Sequence, residues 1–143
     1  MNNRNFNEAK EILTEFTNNR PELAGPYVNL AVIAVENNNK DKALTLVNLA
    51  LKKNPKLAQA LNMLAFLEQE KGDIKQAEIH YKEAIKNKND YALAHYNLAL
   101  LYDIYLQDTR NAILHYEQYM KLTNYKDKKT ADWLEQLKNH KDG

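Results

Sequence analysis

The stretch "NLAVIAVENNNKDKA", residues 29–43, returns in a longer form as "NLALLYDIYLQDTRNA", residues 97–112. Both copies begin with Asn-Leu-Ala and end with Ala, but the second copy has one extra residue. Sequences that repeat at a fixed interval form stacked units, because each unit buries its apolar face against the next one. The interval therefore predicts the unit, and the extra residue marks the unit that differs.

The interval is 34 residues, and it extends well beyond these two stretches. Small and large apolar residues both keep it, and so do two prolines. The sets are Leu30, Leu64 and Leu98; Ala31, Ala65 and Ala99; Ala9, Ala43 and Ala77; Leu13, Val47 and Tyr81; Ala50 and Ala84; and Pro21 and Pro55. A generic helical bundle would not place so many positions on a single period.

Within one period the apolar residues step by three and four, which is typical of one face of an α-helix. They are Leu61, Leu64 and Ala65 on a first helix, and Ile74, Ala77, Tyr81, Ala84 and Ile85 on a second. Between them, Gly72 predicts a helix stop and Asp73 predicts an N-cap. Asn38 stands 34 residues before Gly72, and Asn also tolerates the left-handed conformation.

This order of residues resembles the tetratricopeptide repeat, whose pattern is W-x2-L-G-x2-Y…A-x3-F…P. Tyr27, Leu61 and His95 fill its first position, and its glycine is Ala in all three units. Alanine still allows two helices to approach closely. The resemblance implies an all-α, right-handed α-solenoid of helix-turn-helix repeats with a C-terminal capping helix.

We expect a single domain over residues 1–143, divided by the period into units. A half repeat at 4–21 precedes full repeats at 24–57, 58–91 and 92–126, and a capping helix follows at 128–140. The capping helix would bury an apolar side that includes Trp133, Leu134 and Leu137. Solenoid ends need such a cover, because the last repeat otherwise exposes its core face. The prediction amounts to eight helices, no sheet and a helix content above roughly 70%.

At the turn of the third repeat, Leu106 falls where the earlier repeats have Asn38 and Gly72. A left-handed leucine would cost about 1–2 kcal/mol. We therefore expect the first helix of this repeat to continue to about Gln107, with Asp108 capping the next helix. The extra residue is either an insertion tolerated at a turn or a local docking edge near Tyr102 and Tyr105.

Composition and motifs argue against catalysis. Twenty basic and nineteen acidic residues leave a net charge of +1, which gives no long-range attraction for nucleic acid or anionic membrane. The chain has no cysteine, no run of roughly 18 apolar residues and no secretory signal at its start. It has no metalloprotease, nucleophile-elbow or phosphate-loop motif. His80 and His115 lie on successive second helices and need not converge, so we expect no enzyme, no cofactor and no metal.

What remains is a surface. In stacked helix pairs the first helices line a concave groove, and the resemblance implies that this groove binds a peptide or a partner segment. The matching positions combine amide, apolar, aromatic and acidic side chains. They are Asn29, Val32, Glu36, Gln59, Asn62, Met63, Phe66, Glu70, Leu93, Tyr96, Asn97 and Leu100.

The predicted groove differs from that of the family's chaperone-tail binders. Those proteins use Lys and Arg to clamp a terminal carboxylate, and none of the twelve positions here is basic. An apolar groove edged by Glu36 and Glu70 suits a hydrophobic or mildly basic segment instead. Some groove residues, Phe66 and Leu100 above all, could equally pack between repeats.

Three stretches, "PELAGPYVNLA", "AHYNLALLYDIYL" and "ADWLEQLK", resemble a group of bacterial tetratricopeptide proteins. Many proteins of that group are exported or lipid-anchored and act in cell-envelope assemblies. The resemblance implies a periplasmic scaffold in a multiprotein assembly, with an upstream segment that this chain lacks.

The N-terminal half repeat suggests a second kind of contact. Residues 4–18 are a predicted second-type helix with no first helix before it, and its apolar stripe consists of Phe6, Ala9, Ile12, Leu13 and Phe16. Exposed stripes of this kind usually mark a contact. We expect either a truncated chain whose natural form supplies the missing helix, or a homodimer through this edge.

Two functions compete with an adaptor. The first is a self-assembly module that uses the repeat ends, which a concentration-dependent mass would reveal. The second is a nucleic-acid-associated regulator, whose binding would depend steeply on salt.

Overall fold

The computed structural model of the chain describes residues 24–141. This part consists of helices and turns and contains no strand. The elements are α1 (Gly25–Glu36), α2 (Lys40–Lys53), α3 (Ala58–Lys71), α4 (Ile74–Asn87), α5 (Ala92–Leu100), a π-helical turn (Leu101–Tyr105), α6 (Thr109–Leu122) and α7 (Lys128–Lys141). The predicted all-α fold is confirmed. The predicted helix at 4–18 lies outside the described residues.

The helices pack as three consecutive pairs, α1 with α2, α3 with α4 and α5 with α6, and α7 packs on α6. Helix α1 also packs against α3, so the first helices of successive pairs lie on the inner side of the curve. Ala31, Ala65 and Ala99 are completely buried. Their small size lets the two helices of each pair cross closely, as the period predicted.

The turns inside the first two repeats use left-handed residues, as predicted. Asn38 has φ 59° and Gly72 has φ 90°. The Oδ1 atom of Asn39 accepts a hydrogen bond of 3.2 Å from the Lys42 N–H and so caps α2. The predicted cap at Asp73 is wrong in one respect: Asp73 occupies the N-cap position of α4, but its carboxylate accepts no capping hydrogen bond.

The extra residue of the third repeat lies between Tyr102 and Asp108. In the first two repeats, the N–H that follows the left-handed residue bonds to a carbonyl five residues back, as Asp73 does to Glu68 (2.9 Å). Asp108 bonds instead to Tyr102, six residues back, at 2.8 Å. The π-helical turn takes up the difference, because its hydrogen bonds span five residues rather than four.

This turn spares Leu106 the left-handed conformation. Leu106 stays right-handed with φ −100°, and Gln107 takes the left-handed position with φ 52°. Asp108 then caps α6 by accepting a 3.2 Å hydrogen bond from the Asn111 N–H. The capping prediction is confirmed, whereas the predicted extension of the first helix is a π-helical turn that ends at Tyr105.

Two histidines meet between the second and third repeats. The Nδ1 atoms of His95 and His115 are 3.1 Å apart, and His95 Nε2 lies 3.0 Å from the carbonyl oxygen of Asn89. Since a carbonyl only accepts, His95 carries its proton on Nε2, and His115 Nδ1–H donates to His95 Nδ1. Burial, with His95 and Lys82 nearby, lowers the pKa of His115 to about 4.

We expect this pair to make stability depend on pH. The folded pKa of His115 is about 4 and its unfolded pKa is about 6.5, so between these values the unfolded chain binds more protons. The free energy of unfolding therefore falls as pH falls below about 6.5 and is level above it. After allowance for solvent screening, the loss from pH 7.5 to pH 5 is on the order of 1 kcal/mol.

Urea unfolding at these two pH values measures the loss in the parent chain and in a His115→Gln variant. Glutamine keeps a hydrogen-bonding group in this place but does not titrate, so its variant should lose much less stability. An equal loss in both chains would place the pH dependence elsewhere.

Candidate functional site

The inner face is built by repeat positions that recur on α1, α3 and α5. One position carries Val32, Phe66 and Leu100, and these side chains form a line of apolar surface along the groove. Val32 is exposed, and the other two are half-buried. Each therefore keeps apolar surface open to solvent beside its packed part.

The twelve predicted groove residues fall into three groups. Asn29, Val32, Glu36, Gln59, Glu70 and Leu93 are exposed; Met63, Phe66, Tyr96, Asn97 and Leu100 are half-buried; Asn62 is buried. Half-burial has the same cause throughout. Met63 and Phe66 pack against the core of the first repeat, and Tyr96 and Leu100 pack against the core of the third.

Asn62 is turned into the protein. Its side chain is 5% exposed, and its Oδ1 atom accepts a 3.2 Å hydrogen bond from Asn97 Nδ2. The bond connects α3 to α5. A partner's backbone therefore has Asn29 and the rest of the Asn97 amide to bind, while Asn62 stabilises the groove floor.

The acidic groups at the groove edge are only partly neutralised. Glu70 forms an ion pair with Lys40 at 3.2 Å, and Glu68 on the same helix pairs with His80 at 2.6 Å. Glu36 is exposed and has no ion pair within residues 24–141. The potential of the inner face therefore favours a neutral or basic ligand.

The groove ends at α7 in a small pocket of about 270 Å3. Asp103 in the π-helical turn holds it together: its Oδ2 atom accepts hydrogen bonds from Trp133 Nε1 at 2.6 Å and from the Tyr116 hydroxyl at 3.0 Å. Tyr96 closes one side, with its ring 4.8 Å from that of Tyr119. We name this site the π-turn pocket; it is lined by Tyr96, Leu100, Asp103, Ile104, Tyr116, Lys129, Thr130 and Trp133.

Sequence reasoning placed Tyr96 and Leu100 in the groove but missed Asp103 and Trp133. A signal for Asp103 existed. The Tyr81 hydroxyl donates to Gln69 Oε1 at 3.1 Å, and Asp103 and Tyr116 occupy the same two positions one repeat later. Trp133 gave no comparable signal, because its bond to Asp103 depends on how α7 lies against the third repeat.

Two further observations limit the chemistry of residues 24–141. They contain no group of three or more His, Cys, Asp or Glu side chains that could hold a metal ion. No helix in this range is long and apolar enough to cross a membrane.

The fold and the groove define the class: an α-solenoid of helix pairs with the architecture of an interaction scaffold. Residues 58–91 match the family model of the tetratricopeptide repeat. No curated protein sequence matches the chain. The chain is a tetratricopeptide-repeat protein, by the sequence of this repeat and by its solenoid fold.

Solved structures agree on the fold. A thermophilic TPR protein from Thermus thermophilus has a TM-score of 0.74 at 20% identity, covering 92% of this chain and 72% of its own. YrrB, described as a TPR protein with an unusual peptide-binding site, has a TM-score of 0.72 at 21% identity, with 85% and 61% covered. MamA has a TM-score of 0.65 at 20% identity, with 82% and 68% covered. At these identities the likeness concerns the fold alone.

Proposed function

We propose that this protein is a non-catalytic scaffold whose concave groove binds a segment of a partner protein. The observation that carries the proposal is the apolar line formed by Val32, Phe66 and Leu100. Ile104 in the π-helical turn, which is 61% exposed, continues this line toward α7. Solvent-exposed apolar side chains in a row on a concave surface are typical of a binding site rather than of a solvated face.

The proposed ligand is an apolar segment with basic residues. Apolar side chains would fill the line between α1 and α5, and the amides of Asn29 and Asn97 would bind the ligand's backbone. Glu36 and Asp103 would attract the ligand's positive charges. That the similar protein YrrB is described as having a peptide-binding site supports the class of ligand.

Hydrogen exchange with a bound peptide tests the proposal. Twelve-residue peptides are first selected by display against the whole chain, and amide exchange is then compared with and without the best binder. We expect slower exchange in α1, α3 and α5 and little change in the outer helices α2, α4 and α6. Protection confined to the outer helices or to α7 would refute a groove site.

The setting of the scaffold and its oligomeric state remain predictions from sequence. They are a bacterial cell-envelope assembly and a homodimer through residues 4–18. The homodimer would bury a different surface from the groove, so the two kinds of contact can coexist.

A further inference from the structure

The π-turn pocket has a carboxylate oxygen that the protein leaves open. Asp103 Oδ2 accepts two hydrogen bonds, from Trp133 and Tyr116, which occupies both of its lone pairs. Within residues 24–141, Asp103 Oδ1 accepts no hydrogen bond and forms no ion pair. The two bonds to Oδ2 also fix the plane of the carboxylate, so the open oxygen is held in one orientation.

The walls of the pocket suit a ligand that is apolar along its length and positive at its tip. Leu100 and Ile104 supply aliphatic surface, and Tyr96 and Trp133 supply aromatic surface. Trp133 is 42% exposed, so its ring can contact a ligand directly. Methylene groups pack well against such walls, and a cation near a tryptophan or tyrosine ring is attracted by the negative face of that ring.

We propose that the π-turn pocket binds a lysine side chain of the partner segment, with its ammonium group on Asp103 Oδ1. The proposal deepens the proposed function and rests on it for the source of the lysine. Lysine fits better than arginine, because a guanidinium group binds a carboxylate best through both oxygens and Oδ2 is already occupied. A single open acceptor matches the compact charge of an ammonium group.

Lys129 lines the same pocket and opposes such a ligand. Its ammonium group lies farther than 4.0 Å from the Asp103 carboxylate, since the two form no ion pair. Asp103 is therefore not neutralised by its own chain, but the positive charge of Lys129 lowers the local attraction for a cation. Removing the charge of Lys129 should strengthen lysine binding.

The chain contains a single tryptophan, and its indole N–H donates to Asp103, so the indole resonance in a nitrogen–proton NMR spectrum reports on the pocket. The probes are butylammonium, which copies the lysine side chain, and the neutral 1-butanol, both at matched ionic strength. We expect butylammonium to shift the resonance saturably and to bind at least about tenfold more tightly than 1-butanol.

Two variants test the roles of the charges. Asp103→Asn keeps an acceptor for Trp133 and Tyr116 but removes the negative charge, and it should weaken butylammonium binding at least about tenfold. Lys129→Gln should strengthen it roughly threefold. Thermal unfolding checks that both variants fold. Equal binding of butylammonium and 1-butanol, or unchanged butylammonium binding by the Asp103→Asn variant, would overturn the proposal.

A selected groove peptide separates this proposal from the proposed function. Exchanging its lysine for norleucine should weaken binding to the parent chain and have little effect on binding to the Asp103→Asn variant. If the peptide protects the inner helices but the exchange has no effect, the lysine pocket fails and the groove stands. If butylammonium binds but no peptide protects the groove, the proposed function fails and the pocket stands as a cation site.

Discussion

Replacing Tyr116 by Ala is expected to cost about 3–5 kcal/mol of the free energy of unfolding, the range for a large aromatic residue removed from a core. Tyr116 is almost completely buried and lies in the cluster that joins α5, α6 and α7. Burial, reinforced by the nearby Asp103 carboxylate, raises the pKa of Tyr116 well above its ordinary value. The hydroxyl therefore stays protonated and donates to Asp103 over the whole working pH range.

The loss should be local. In a solenoid each repeat contacts only its neighbours, so damage to one repeat spreads little beyond the adjoining helices. Hydrogen exchange should become fast in α6 and α7 while α1, α2 and α3 keep most of their protection. Tyr81→Ala, the same change one repeat earlier, should instead affect the helices on both sides of α4.

Tyr116→Phe is the matched control. It keeps the ring and removes only the hydroxyl, while Asp103 still receives the hydrogen bond from Trp133, so the cost should be about 1 kcal/mol. Urea unfolding measures all three variants. A loss in Tyr116→Ala no larger than in Tyr116→Phe would show that the ring contributes little to the packing between the third repeat and α7.

The second large effect concerns binding. Replacing Phe66 and Leu100 together by Ser is expected to weaken binding of a selected groove peptide at least about 100-fold, because each apolar anchor contributes roughly 1.5–3 kcal/mol when buried. Both side chains keep part of their surface outside the core, so the fold should survive the change with reduced stability. Calorimetric titration measures the affinity, and circular dichroism confirms the helices.

A control on the outer helices has the same chemistry. Ile79 on α4 and Leu114 on α6 are exposed and occupy one repeat position, 35 residues apart. Replacing both by Ser removes a similar amount of apolar surface from the other side of the solenoid and should change the affinity less than about threefold. If the two double variants weaken binding equally, the peptide does not recognise the groove.

The repeats show how far the sequence determines this protein. The period of 34 residues predicted the helix pairs, the buried alanines at their crossings and the left-handed turns at Asn38 and Gly72. These are local or nearly local features. Side-chain size and backbone preference decide them within one repeat, so they can be predicted from the pattern.

The third repeat shows the limit of that reasoning. The sequence predicted that Leu106 would avoid the left-handed conformation, because the cost falls on one residue. It did not predict the π-helical turn, because several backbone paths can absorb one residue. The packing of Leu101 and Tyr102 in the core and the hydrogen bond from Asp108 to Tyr102 select among them.

Only the tertiary structure decided which side chains of different repeats meet. Asn62 bonds to Asn97, His95 to His115 and Trp133 to Asp103, across 35, 20 and 30 residues. Such pairs depend on the angle and offset between adjacent helix pairs, which arise from the packing of many side chains together. The period determines that repeats stack, whereas their packing determines that Asn62 turns inward and that Asp103 and Trp133 form the π-turn pocket.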